Sequence, residues 1–268
     1  MTSPTIRPAL FDTVSEIPRA GLEATRLAFA LPNLFADMPR GDGHPVLVLP
    51  AYGLGDVGLW PLRRFLDGLG YEAFASELGP NVDRGDLRIR RVEDAARFRK
   101  VQSERVVERA RSIQARTGRR PSLVGWSMGG LFAFDAARRA PETVRQIVTL
   151  GSPFGDPRGT SLWELMRRIS GSDVPVEEQD FRTWLDPIPH TGTGPVAPVT
   201  ILFSARDGIV SEAAARIDPT RDSGAESAGG TLDRPEVRYE QIESSHLGFP
   251  VNLAAYRAIA RALAGAGD

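Results

Sequence analysis

Three kinds of side chain in this sequence could do chemistry together: one serine in an unusual turn, a few histidines, and carboxylates placed just after apolar runs. The serine is Ser127, inside Ser122-Leu-Val-Gly125-Trp126-Ser127-Met128-Gly129-Gly130. Branched apolar residues lead into Gly-x-Ser-x-Gly-Gly, and Leu131, Phe132, Phe134 and Ala137 follow with helical spacing. That reads as a short buried strand, a sharp turn and a helix. Such a turn forces Ser127 into a strained backbone and lifts its hydroxyl above the sheet edge. A Cβ at position 125 or 129 would collide with the neighbouring strand or helix. The helix start turns unpaired N–H groups and positive dipole toward the serine, which suits a developing oxyanion. The plain alternative is a glycine-rich turn with Ser127 an ordinary small residue.

A serine hydroxyl is a poor nucleophile near neutral pH and needs a base within reach. There are three histidines to choose from, His44, His190 and His246, and the base in turn needs a carboxylate to hold its tautomer. Asp207, in an Asp-Gly turn, and Asp156, in a Gly-Asp-Pro turn, both stand shortly after apolar runs. With no cysteine and three dispersed histidines, no His-x-x-x-His or Cys-x-x-Cys metal site can be drawn, and disulfides and thiolate catalysis drop out. No cofactor is expected: neither a G-x-x-x-x-G-K-[ST] phosphate loop nor a G-x-G-x-x-G after a strand is present.

The elements that must position these residues alternate. Val46–Leu49, Tyr71–Ala75, Ser122–Trp126, Val144–Leu150, Val199–Phe203 and Val237–Ile242 read as strands, Val46–Leu49 as a fully buried one. Between the first four lie helical patterns: Leu62, Phe65, Leu66 and Leu69 behind Pro61; a long helix from Val92 to Thr117 with a stripe of Phe98, Val106, Ala110 and Ile113; and the helix after Ser127. A closing helix from Asn252 offers Leu253, Tyr256, Ile259 and Leu263. Alternation of this kind predicts an α/β fold, a mostly parallel, doubly wound sheet of about six strands with helices on both faces. Sites in such sheets sit at the carboxyl ends of strands. His44 precedes the first core strand, at the wrong end; His190 falls among Pro and Gly in a segment that breaks the rhythm. His246, just past the last strand, is the base of choice.

The Gly-x-Ser-x-Gly elbow with its strand and helix resembles the nucleophile elbow of the α/β-hydrolase family, and the flanking segments resemble bacterial lipase/esterase-like members of it. The resemblance runs from about Gly41 to Ala264. It implies the chain order Ser127, Asp207, His246 for a catalytic triad, with Asp207 preferred over Asp156 because the latter stands further from its strand end. It also implies that Pro50-Ala51-Tyr52-Gly53 is the oxyanion loop, with Ala51 where glycine is common, and that the N–H groups of Tyr52 and Met128 hold the oxyanion. Residues 155–197 resemble the lid inserted at this point in many members. The domain reading is therefore an N-terminal arm and helix (1–40), a core (41–154 and 198–268) and a lid insertion (155–197). Ser161 begins a short amphipathic helix there. Trp126, Trp163, Met166, Phe181 and Trp184 are the substrate-contact candidates, the last four either an acyl-binding wall or the lid's own small core. The implied activity is serine-dependent hydrolysis of a carboxylic ester with an apolar acyl chain, with acyl transfer by the same triad, or a non-catalytic binding protein, as the alternatives.

The rest of the chain sets bounds. At 268 residues, 41% apolar and 25% charged, with a formal net charge of −1, it has the composition of one ordinary globular core and no electrostatic case for nucleic acid. Lys100 is the only lysine, and the many arginines alternate with acids as on solvated helix faces. The N-terminus lacks the basic start and apolar run of a secretory signal, and Leu27–Met38, interrupted by Pro32, is too short for a bilayer span, so a cytoplasmic location is expected. Residues 1–18, with three prolines, read as an extended arm, and Ala20–Phe35 as a helix whose buried face is Leu22, Leu27, Leu31 and Leu34. That helix is either a flap or lipid-contacting element beside the site or, the preferred reading, docked on the core. Nothing gives Asn81, in the loop 77–81, a role, and Asp218–Asp233 reads as a surface loop.

Overall fold

Five consecutive buried residues, Pro45–Leu49 (β1), make the strand around which the sheet is built. The computed structural model describes residues 7–79, 81, 89, 91–161, 196–217 and 236–265. The other strands are β2 (Glu72–Ala75), β3 (Ser122–Trp126), β4 (Ile147–Leu150), β5 (Val199–Phe203) and β6 (Val237–Gln241). They form one six-stranded sheet, every pairing parallel, in the order β2-β1-β3-β4-β5-β6. Side chains alternate across it, as a period of two requires. Leu47, Leu49 and Leu123 enter one apolar cluster, Val46, Val48, Val124 and Trp126 the other.

Each face is closed by helices. On the first lie α4 (Val92–Thr117) and α5 (Met128–Arg139), through Phe98, Val106, Ile113, Leu131 and Phe132. On the second lie α2 (Glu16–Ala30), α3 (Trp60–Leu69) and α6 (Leu253–Ala264), through Leu27, Leu62, Phe65, Tyr256 and Ile259. The expected ends hold: α4 runs over the predicted span and stops at Gly118, whose left-handed φ of 73° suits glycine. Among the described residues no helix is long and apolar enough to cross a membrane.

Two expectations fail at the N-terminus. Residues 10–18 are not extended: α1 (Leu10–Val14) and α2 form a helical pair. Pro8 lies outside α1 and Pro18 sits in the first turn of α2, where a missing N–H breaks no helical bond, so the prolines frame helices instead of preventing them. The helix does dock, through Leu27 and Leu34, but Leu22 and Leu31 are 51% and 55% exposed. The rest of its inner face is acidic, Glu16 and Glu23, which an apolar count passes over.

Because β1 neighbours both β2 and β3, the order of connection reverses between β1 and β3. Crevices in open parallel sheets form at the carboxyl ends of the strands at such a switch point. The loop after β1 and the turn after β3 both lie there. Of the expected insertion 155–197, the segment holding Trp163, Met166, Phe181, Trp184 and His190 lies outside the described residues, as does the Asp218–Asp233 run.

Candidate active site

Ser127 joins β3 to α5 with φ 53° and ψ −122°. Among the described residues only Glu77 shares a positive φ without being glycine. Such backbone costs of order 1–3 kcal/mol and persists only where the surroundings enforce it. Here the Ser127 N–H donates to Leu150 O (2.8 Å), its carbonyl accepts from Gly130 N–H (3.0 Å), and two glycines allow strand and helix to close. A Cβ on Gly125 would lie 2.5 Å from Gly130 Cα; one on Gly129 would lie 2.5 Å from Leu49 O and 2.8 Å from Pro50 O. Ser127 is buried, and its hydroxyl has no hydrogen-bond partner among the described residues.

At the same sheet end, His246 and Asp207 meet. Nδ1 of His246 lies 2.8 Å from Asp207 Oδ2, both side chains buried. The other carboxylate oxygen accepts the N–H groups of Ile209 (2.8 Å) and Val210 (2.7 Å), so Asp207 is held from behind by its own turn. With Nδ1–H given to the carboxylate, Nε2 keeps the lone pair a base uses. Burial pulls the imidazole pKa down, but the charge and hydrogen bond of Asp207, joined by the charge of Glu16, outweigh it and hold the pKa above its ordinary value. Trp126 is buried, its Nε1–H donates to the His246 carbonyl (3.0 Å), and its ring lies 6.1 Å from the imidazole. It thus ties the strand before Ser127 to the loop carrying His246. No hydrogen bond joins Ser127 Oγ to that imidazole. Catalytic hydrogen bonds are commonly long without substrate and tighten in the reacting complex.

The loop after β1 is held by a residue the sequence did not single out. Asn81, fully buried, donates from Nδ2 to Pro50 O (3.0 Å); its carbonyl accepts from Gly53 N–H (2.6 Å), and its N–H donates to Leu54 O (3.0 Å). Gln102 of α4 braces its side-chain oxygen. Tyr52, half-buried, packs edge-on against Phe98 at 6.0 Å. Met128 opens α5, so its N–H is one of those with no partner inside the helix.

The carboxylate beside His246 is Asp207, whereas the Asp156 carboxylate takes the Arg158 guanidinium. At the opposite end of the sheet, His44 Nδ1 lies 2.5 Å from Asp42 Oδ1 and Nε2 lies 2.8 Å from Ser122 Oγ. This is a hydrogen-bonded Ser-His-Asp chain, but His44 and Ser122 are 1% and 0% exposed, so it joins the starts of β1 and β3 and offers no entry to a substrate. Burial holds the His44 pKa below its ordinary value despite Asp42. Two further residues missed by sequence reasoning are Glu16 and Glu23, which grip the Asp207 and His246 loops. No local signal marks them, since their partners are more than 190 residues away.

No curated protein sequence matches this chain. A family model described as alpha/beta hydrolase fold matches residues 79–181. Similar solved structures include a monoacylglycerol lipase from Paleococcus ferrophilus (16% identity, covering 86% of this chain and 97% of that one, TM-score 0.51). Rv0554 from Mycobacterium tuberculosis (19%, 85% and 90%, TM-score 0.51) and lipase BlEst2 from Bacillus licheniformis (16%, 85% and 94%, TM-score 0.52) are others. At such identities the structural likeness speaks to fold alone. Taken with the family match across the elbow, the six parallel strands give this chain the α/β-hydrolase fold.

Proposed function

We propose that the protein is a serine-dependent carboxylic ester hydrolase with Ser127 as nucleophile, His246 as base and Asp207 as its orienting carboxylate. The observation that carries the reading is the strained Ser127 itself: a costly backbone that leaves a buried hydroxyl without a partner among the described residues, at the sheet end where His246 and Asp207 pair. In this mechanism Ser127 Oγ attacks the ester carbonyl while His246 Nε2 takes its proton. The tetrahedral oxyanion is held by the N–H groups of Tyr52 and Met128, and His246 then protonates the leaving alcohol. Water, activated by the same imidazole, releases the acid from Ser127. The lipase names among the similar structures and the apolar residues of the 155–197 insertion support an acyl chain in the substrate, with Trp163, Met166, Phe181 and Trp184 as its proposed contacts.

The test is a p-nitrophenyl ester series from acetate to palmitate on the wild type and on Ser127→Ala. The reading expects turnover with a preferred chain length and a loss of about 10⁴-fold or more in the variant. Equal activity in both proteins refutes it. Product analysis with an added alcohol separates hydrolysis from acyl transfer.

A further inference from the structure

Two loops carry the proposed base and its carboxylate, and both rest on one N-terminal helix. Glu16, 4% exposed in the first turn of α2, accepts from Gly208 N–H (2.8 Å) and His246 N–H (3.0 Å) on Oε1 and from Leu247 N–H (2.9 Å) on Oε2. One carboxylate thus spans the residue after Asp207 and the backbone of His246. Two turns on, on the same helix face, Glu23 accepts from Ser245 N–H (2.8 Å), Ser244 Oγ (2.9 Å) and Asn252 Nδ2 (2.8 Å). Thr13 Oγ1 donates to Gly208 O (2.6 Å), and Arg19, ion-paired with Glu16 (3.0 Å), donates to Arg206 O (2.5 Å). Glycines fit the loops to the helices: a Cβ on Gly208 would overlap the Asp12 carbonyl, and one on Gly248 the Glu23 carboxylate.

A carboxylate taking three backbone N–H groups is a strong, directional tether, and Gly208 stands 38 and 39 residues before the other two donors, His246 and Leu247. We propose that the helical pair 10–30 is a positioning element for the active site, in which Glu16 holds the Asp207 and His246 loops in register and sets the electrostatic environment of the imidazole. The proposal rests on the hydrolase reading above and gives it a part that elbow, base and carboxylate do not supply. Among the described residues, the charged groups facing His246 are Asp207, from the loop after β5, and Glu16, from α2. Glu23 accepts from Ser244 and Ser245, and the largely covered Arg19 pairs with Glu16. Trp126 and Phe249, the aromatic rings beside the imidazole, carry no charge.

The experiment compares full-length wild type, Glu16→Gln and Glu16→Asp by two measurements: the rate of fluorophosphonate labelling at Ser127, and the His246 imidazole titration followed by NMR. Glu16→Gln is expected to slow labelling about tenfold or more through loosened alignment, and to lower the His246 midpoint by about half a pH unit through loss of the nearby negative charge. Glu16→Asp keeps the charge, so its midpoint stays at the wild-type value while labelling slows. A structural role alone would lower the melting temperature of both variants and leave the midpoint in place; that result, or wild-type labelling in Glu16→Gln, overturns the proposal. If Glu16→Gln does not accumulate as folded protein, Glu23→Gln is read instead: labelling slowed about threefold or more supports the tether, and a wild-type rate overturns it. A wild type that never labels sinks the hydrolase reading, while the His246 midpoint in Glu16→Gln still decides whether Glu16 acts on the imidazole.

Discussion

His246 and His44 are both buried beside an aspartate, yet their surroundings push them in opposite directions. His44 is desolvated with its pKa lowered, and the Arg145 and Arg119 charges add to that; His246 is desolvated too, but two carboxylates raise it. The acid limb of activity, which reports the imidazole losing its proton, should therefore lie above the ordinary histidine value of about 6.5. Asp207→Asn should move that limb down and cut kcat/KM by about 10³–10⁴-fold, since it removes the largest favourable influence on the imidazole and the group that fixes its tautomer. A pH–rate profile of the two proteins checks this. Linkage gives His246 the reverse dependence for stability: with its folded pKa raised, its contribution is complete below the unfolded value and fades as pH rises through the folded one. Gain of the neutral base and loss of that share of stability thus go together.

At the scale of elements, the site depends on how closely α5 approaches the end of β1. Gly129 is where the elbow meets the proposed oxyanion loop, against the carbonyls of Leu49 and Pro50. Gly129→Ala should force the two apart, cost about 1–3 kcal/mol, and slow ester turnover more than ten times as oxyanion donors shift, given that one donor is worth about 3–4 kcal/mol. Thermal melting and kcat on one ester separate the two effects. What was legible at this scale is what local pattern encodes: the β3–Ser127–α5 unit, the buried stripe of α4 and the carboxyl-end positions of Asp207 and His246. Less legible were contacts made by lone polar residues across the sequence. Asn81 sits in a Gly-Pro-Asn turn that looks like any loop, and Glu16 and Glu23 look like solvent-facing acids in a helix with little apolar pattern. Their partners are set by tertiary closure, which no spacing rule reports. Helix α1 and the first turn of α2 were missed for a related reason, since prolines counted without position cannot distinguish a helix start from a break.

For the whole molecule, the second polar chain at the bottom of the sheet predicts how the fold responds to acid. Burial pushes the Asp42 carboxyl up, but hydrogen bonds from the His44 ring and backbone and from Arg119 outweigh it and hold it well below the usual carboxylate range. Both folded-state pKa values are depressed, so these groups stabilise the fold above their unfolded values, about 6.5 and 3.8, and that stability is lost as pH falls through the folded ones. His44→Gln should cost about 1–3 kcal/mol at pH 7.5 by breaking a buried network. The difference from wild type should shrink toward pH 5, where the wild type resists protonation of His44 and the variant has no such group. Melting temperatures across that range test it, and labelling of Ser127 at pH 7.5 should be the same in both. In the proposed reading the top of the sheet carries the chemistry and the bottom holds the strands together. The most direct measurement of that division is mass spectrometry of the intact wild-type protein after fluorophosphonate treatment. One adduct, located on Ser127 and lost in His246→Ala, is the predicted result; a folded wild type that takes no adduct at Ser127 contradicts it.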